Sequence, residues 1–188
     1  FTPPDAKDYS DAPTSGTSYG EATHIFDSTI HLGVAIDLDN ASIANADASG
    51  DGADDDGITL PVLTQGSSAT ITATVTGAGG YLQAWIDWNG DGTFEASEQV
   101  SIDAQDNTTA VPGRTDDSDT TAGQISIAVT VPPTATTTQT FARFRWSTTS
   151  GLDSTTPASD GEVEDYPITI LEADEDGDGI GNNQDIDD

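Results

Sequence analysis

Three stretches of this sequence space oxygen-bearing side chains closely enough to share one ion. The clearest runs Asp87-Trp88-Asn89-Gly90-Asp91-Gly92-Thr93-Phe94-Glu95-Ala96-Ser97-Glu98. Side-chain oxygens on alternate residues of a tight loop converge on one point, a glycine at position 6 permits the sharp turn, and a glutamate at position 12 reaches back with both oxygens. Asp87, Asn89 and Asp91 fill positions 1, 3 and 5, Thr93 offers its backbone carbonyl, Glu95 acts through water, and Glu98 closes the set. The chemistry this pattern serves is calcium binding. Its rival is an Asn-Gly/Asp-Gly hairpin turn whose carboxylates are merely solvated.

The second stretch, Asp174 to Asp185, repeats the pattern with Asp174, Asp176, Asp178, Gly179, the Ile180 carbonyl and Asp185. Asp187 and Asp188 offer the start of a further site, and a disordered acidic tail is the rival. The third lies within Asn45–Gly57. Asp47, Ser49 and Asp51 suit one site, and Asp54, Asp55 and Asp56 either close it or make another. Here a solvated charge run is the rival. Magnesium fits less well, since it wants strict octahedral geometry and keeps its waters. Zinc lacks ligands, because the chain has no Cys and its two histidines are His24 and His31. The expectation is several Ca²⁺ ions.

Charge points the same way. Four Lys and Arg stand against 34 Asp and Glu, a formal charge of −30. That excludes sequence-independent binding to nucleic acid, which needs cations for the phosphates. It also argues against docking on anionic lipid through a basic patch. No apolar run approaches the ~18 residues that suggest a membrane-spanning helix. Bound cations would offset the charge, and carboxylates held a few ångströms apart without them repel by about a few kcal/mol per pair. Loops of this kind in extracellular modules bind calcium at roughly 0.1–1 mM, so the expected location is extracellular or at the cell surface. The opening at Phe1 suggests a mature or trimmed product whose signal peptide has gone.

Strands must carry these loops. Ile71, Ala73 and Val75 alternate with Thr70, Thr72, Thr74 and Thr76, the period-two pattern of a half-buried strand. Leu82, Ala84, Ile86 and Trp88 alternate in the same way, as do Ile125, Ile127, Val129 and Val131. Ala142, Phe144 and Trp146 share a face within 141–147, and Tyr166, Ile168 and Ile170 close the series. Weaker strands are expected at 24–32 and 58–63, and long loops at 38–57 and 101–123. The predicted class is all-β, an antiparallel two-sheet β-sandwich of Greek-key or jelly-roll type, with long calcium-binding loops and an acidic calcium-binding tail. The expected parts are an arm at 1–7, a sandwich at 8–170 and the tail at 171–188.

Four motifs occur in a telling order: Asp8-Tyr9-Ser10-Asp11-Ala12-Pro13, then Tyr81 to Gly92, then Phe141-Ala142-Arg143-Phe144-Arg145, then Asp160-Gly161-Glu162-Val163-Glu164-Asp165-Tyr166. Over about residues 8–170 they resemble the bacterial GEVED domain. The resemblance implies a β-sandwich module of large secreted or surface proteins, often beside adhesion domains, with no known catalytic activity. The tail resembles a single thrombospondin type 3 repeat, an acidic linker wrapped around calcium.

Arg143 and Arg145 share one strand face, and Glu162 and Glu164 share a face of the last strand, so pairing across neighbouring strands is expected. Trp85 and Tyr81 are expected beneath those arginines, with sugar stacking as the alternative. No nucleophile motif adjoins His24 or His31, so no enzymatic activity is expected. The functional expectation is a calcium-stabilised structural module that self-associates head to tail into a fibre or filament. A solitary acidic tail frays unless calcium fixes it and a neighbour holds it, so the calcium-ordered termini are the expected contact. The alternative is an adhesin module of a larger secreted protein, binding glycan or a host or cell-surface protein.

Overall fold

The structure is a computed structural model, and it describes residues 6–36, 38–39, 41–52, 54–109 and 111–174. Twelve strands run in order: Lys7–Tyr9 (β1), Thr23–Ile25 (β2), His31–Leu32 (β3), Ile58–Thr59 (β4), Leu63–Thr64 (β5), Ser68–Thr76 (β6), Tyr81–Ile86 (β7), Gln99–Ala104 (β8), Gln124–Thr130 (β9), Thr140–Ser147 (β10), Glu162–Ile168 (β11) and Ile170–Leu171 (β12). Among the described residues the helical element is one 3₁₀ turn, Ala96–Glu98.

One antiparallel sheet has the order β11-β10-β7-β8. In the other, β9 pairs along one edge of β6 from Ser68↔Thr130 to Thr74↔Gln124. β3 and β4 lie end to end along the opposite edge of β6. β1 and β2 form a separate hairpin, and β5 pairs with β12 in parallel.

The alternating residues of the long strands face one another across the gap between the sheets. Ile71, Ala73 and Val75 meet Leu82, Ala84, Ile86, Ala142, Phe144 and Trp146, with Ile125, Ile127 and Val129 closing the layer. Each large apolar side chain so buried contributes about 1.5–3 kcal/mol. The period-two reading therefore identifies the core faces of the long strands.

Two details differ from the sequence reading. The stretch 101–123 is not all loop, because β8 runs on to Ala104. Its buried residues are the small Ser101 and Ala104, while Ile102 is exposed, and register shifts against β7 break the hydrophobic alternation. Ser101 is held by its hydroxyl, which donates to the Leu82 carbonyl at 2.8 Å. Leu171, which opens the tail in the sequence division, still pairs with Thr64.

Candidate metal centre

Asp87 leaves the end of β7 as a buried residue, anchored to β10 through its backbone. Its N–H donates to the Phe141 carbonyl at 3.0 Å, and its carbonyl accepts from the Thr140 hydroxyl at 2.8 Å. Its Oδ1 accepts the Gly90 N–H at 2.7 Å. Its Oδ2 accepts the Gly92 N–H at 3.0 Å and the Tyr19 hydroxyl at 2.5 Å. Gly92 has φ +84°, the left-handed turn that a glycine makes without Cβ strain.

The chain then doubles back through the 3₁₀ turn, and Glu98 meets the start of the loop. Glu98 Oε1 accepts from Trp88 N–H at 2.9 Å and Asn89 N–H at 3.3 Å, and Oε2 accepts from Glu95 N–H at 3.2 Å. Burial pushes the Glu98 carboxyl up to about 7, and the charge of Asp87 adds to the rise. Asn89 and Asp91 stay exposed, each fixed by a following N–H, with Asn89 Oδ1 accepting from Asp91 and Asp91 Oδ1 from Thr93. Thr93 is half-buried.

The loop at 38–57 divides its acids. Asn45 Oδ1 accepts the N–H groups of Asp47 and Ser49, and Asp47 accepts the Ser49 hydroxyl, so Asp47 belongs to a local exposed turn. Asp51 faces elsewhere. One carboxylate oxygen each from Asp8, Asp39 and Asp51 lie within 4.8 Å of one another. Asp54 is buried, and Asp56 Oδ1 accepts the Val34 N–H at 2.8 Å. Asp55 is pushed up to about 10 by burial and by the charges of Asp11, Asp51, Glu164 and Asp165.

Asp8 and Asp39 escaped the sequence search because neither falls within the closely spaced runs 45–57, 87–98 and 174–185. Asp8 lies in β1, buried, with Oδ2 accepting the Val163 N–H at 2.7 Å. Asp39 Oδ2 accepts the Tyr9 N–H at 2.9 Å. Asp11 ties the same loop down, its Oδ2 accepting from Gly50 at 2.6 Å and Asp51 at 3.2 Å.

Strand β11 carries two further buried acids. Glu162 Oε2 accepts the Leu32 N–H at 2.6 Å. Glu164 Oε1 accepts from Gly57 at 2.9 Å and Asp56 at 3.1 Å, and its Oε2 accepts the Tyr166 hydroxyl. Burial lifts Glu162 to about 11 and Glu164 to about 8, with the charges of Asp8 and Glu164 adding to the rise at Glu162.

Neither glutamate pairs with an arginine, contrary to the sequence expectation. In the β10–β11 register Glu164 stands opposite Phe144 and Glu162 opposite Trp146, on the core-facing side, while Asp165 stands opposite Arg143. Arg143 Nε and Nη2 donate to the two oxygens of Asp165 at 2.8 and 2.9 Å. Arg145 Nε donates to His24 Nε2 at 3.0 Å, and its other nitrogens donate to the Asp153 and Thr156 carbonyls. The aromatic partners differ too. Arg143 lies over Phe94 and Arg114 over Tyr81, at 5.2 and 4.9 Å from the ring centroids.

The motif from Asp160 to Tyr166 thus ties β10, β1, β3 and the start of β4 to one strand. Gly161 makes its entry possible, with φ +91° and no room for a Cβ, which would fall 1.8 Å from the Trp146 carbonyl oxygen. Residues 81–169 match a family model. The model they match is that of the GEVED domain. The match begins at β7, so the sequence resemblance from residue 8 reaches further than the matched segment. The GEVED segment holds the whole β11-β10-β7-β8 sheet and β9, while β6, the partner of β9, lies before it. No curated protein and no solved structure matches the chain. Beyond Asp174, the tail loop with Asp176, Asp178, Ile180 and Asp185, and the thrombospondin-like resemblance it carries, lie outside the described residues.

Proposed function

We propose that the chain is a calcium-stabilised structural module of an extracellular or cell-surface protein, without enzymatic activity, working as a subunit of a head-to-tail fibre. One observation carries the calcium reading. The loop after β7 folds so that Glu98, twelfth in the ligand pattern, closes on the backbone of Trp88 and Asn89, beside Asp87, the first. Two carboxylates drawn together and partly desolvated repel, and a divalent cation between them removes that cost. Because the ion binds only the folded chain, it adds RT ln(1 + [Ca]/Kd) to stability.

The fibre reading is supported by the place where the tail departs. Val62 and Leu171 are exposed beside the β5–β12 pair, an apolar spot next to an acidic segment. A second reading, glycan adhesion, has its own support. A cleft of about 270 Å³ is lined by Trp85 and Phe94 together with Gln83, Gln99 and Asp153, an aromatic floor with polar groups around it.

Thermal unfolding in calcium and in chelator tests the core of the proposal. The midpoint is expected to fall in chelator, and more weakly so in Asp87→Asn/Glu98→Gln. An unchanged midpoint in wild type would remove the calcium reading. Electron microscopy in calcium separates fibres from dispersed particles, and a glycan array tests the Trp85 cleft.

A further inference from the structure

The outer edge of β11 gathers more carboxylate oxygens than hydrogen bonds can satisfy. Three buried ones accept no hydrogen bond: Asp11 Oδ1, Asp55 Oδ1 and Glu162 Oε1. Glu162 is 0% exposed and Asp11 1%. Their positions are not accidental, because the second oxygen of each is fixed by backbone, Glu162 by Leu32 and Asp11 by Gly50 and Asp51. The charges that act most strongly on Glu162 are Asp8, Glu164 and Asp51, all negative. Those that act on Asp8 are Asp51, Asp39 and Glu164. Asp8 also accepts the N–H of Val163, the residue after Glu162, at 2.7 Å, so the orphaned Glu162 oxygen lies in the same acidic region as the Asp8–Asp39–Asp51 triad.

An unsatisfied buried acceptor is costly, and several of one sign together cost more. Protons are one remedy, but each neutralises one carboxyl and brings an O–H that needs its own acceptor. A divalent cation answers several oxygens at once.

We propose that Asp8, Asp39 and Asp51 form a divalent-cation site, with the orphaned Glu162 and Asp55 carboxylates adding negative charge around it, and that its occupant is calcium. The inference rests on the reading of the fold as calcium-stabilised, but its ligands are separate from the loop after β7. The donors are all oxygen, three carboxylates where magnesium is usually held by one or two, and two of them sit on the 38–57 loop, which can adjust to a larger ion. They come from β1 and the 38–57 loop, and Asp8 is itself bonded to β11 through the Val163 N–H. The ion therefore acts as a clasp that closes the N-terminal segment on the GEVED strand, in a chain with no Cys to do so by disulfide.

Calorimetric titration with calcium tests the site, using the full chain, Asp39→Asn/Asp51→Asn and Asp87→Asn/Glu98→Gln. The first variant is expected to lose one binding equivalent that the second keeps. It is also expected to melt, in chelator, at or above the wild-type temperature, since repulsion is relieved, and to gain several degrees less from calcium. A purely structural role for these acids would instead lower the midpoint equally with and without calcium, and that result overturns the proposal. So does an unchanged count of equivalents in Asp39→Asn/Asp51→Asn while wild type binds calcium. Wild type that binds no calcium at all overturns the proposed function as well. Should the double variant not fold, Glu162→Gln keeps an oxygen for Leu32 and removes the charge. It should weaken one equivalent at least about tenfold, and unchanged affinity there overturns the site.

Discussion

Arg143 grips Asp165 with two parallel hydrogen bonds, Nε to Oδ1 at 2.8 Å and Nη2 to Oδ2 at 2.9 Å, and neither side chain is exposed to solvent. The same carboxylate accepts the Ala12 N–H at 2.8 Å, and Arg143 Nη1 donates to the Ser154 carbonyl at 2.7 Å. Removing one partner of such a pair leaves a buried charge uncompensated, at a cost of about 3–5 kcal/mol. Arg143→Ala should therefore lower the unfolding free energy in urea by that amount in saturating calcium. Arg143→Lys should recover only part, because an ammonium cannot make the forked contact. A loss below about 1 kcal/mol would place the pair among ordinary surface contacts.

His24 is held neutral. Its Nε2 accepts from Arg145, so the ring proton sits on Nδ1 and donates to the Asp160 carbonyl at 2.7 Å. Burial lowers its pKa well below the usual value, and the charge of Arg145 lowers it further. Asp8 stands opposite in the β1–β2 register. The unfolded chain then binds a proton that the folded chain refuses, so the His24 contribution is present above about pH 6.5 and lost as pH falls below it. His24→Gln should flatten the acid side of the stability curve. Unfolding free energies of both proteins from pH 8 to 5, in calcium, read this directly. Parallel curves would refute it.

The long strands were legible because their apolar residues alternate, and each predicted inward set lies in the core. The short strands were legible only as regions. The expected strands at 24–32 and 58–63 each divide into two short ones, β2 and β3, then β4 and β5, because two- and three-residue pieces show no period and their place is set by tertiary neighbours such as Thr72 and Thr76. The loop from Asp87 to Glu98 was readable because its oxygens are close in sequence. The triad of Asp8, Asp39 and Asp51 was not, since only the fold brings Asp8 to the two acids of the 38–57 loop. The arginine partners failed for a simpler reason. One residue of register exchanges the two faces of a strand, and Asp165, not Glu164, lies on the arginine side.

Without metal, the acidic interior should make the fold prefer acid. Burial and neighbouring charges raise Glu162 to about 11, Asp55 to about 10 and Glu164 to about 8. The folded state therefore holds protons that the unfolded chain has released above about pH 4.5. Stability then declines as pH rises from the unfolded carboxylate range toward those values. In chelator, the melting midpoint at pH 8 should lie several degrees below that at pH 5.5, and millimolar calcium should shrink or reverse the difference. Equal midpoints in chelator would mean that these carboxylates carry no strain.

Gly161 offers a test of the motif turn that needs no metal. At φ +91° an L-residue is strained, and its Cβ would stand 1.8 Å from the Trp146 carbonyl oxygen and 3.0 Å from Ser147 Cα, both backbone atoms that cannot turn aside. Gly151 also has positive φ, +69°, but nothing lies within 4 Å of its added Cβ. Gly151→Ala thus isolates the conformational cost, about 1–2 kcal/mol for a left-handed residue. Gly161→Ala adds displacement of the β10–β11 connection, including the bonds from Ser147 and Thr148 to Asp160 and from His24 to its carbonyl. Chemical denaturation in calcium should show Gly161→Ala losing clearly more than Gly151→Ala. Equal losses would mean that the strand entry yields easily, and the glycine of the motif would then need another explanation.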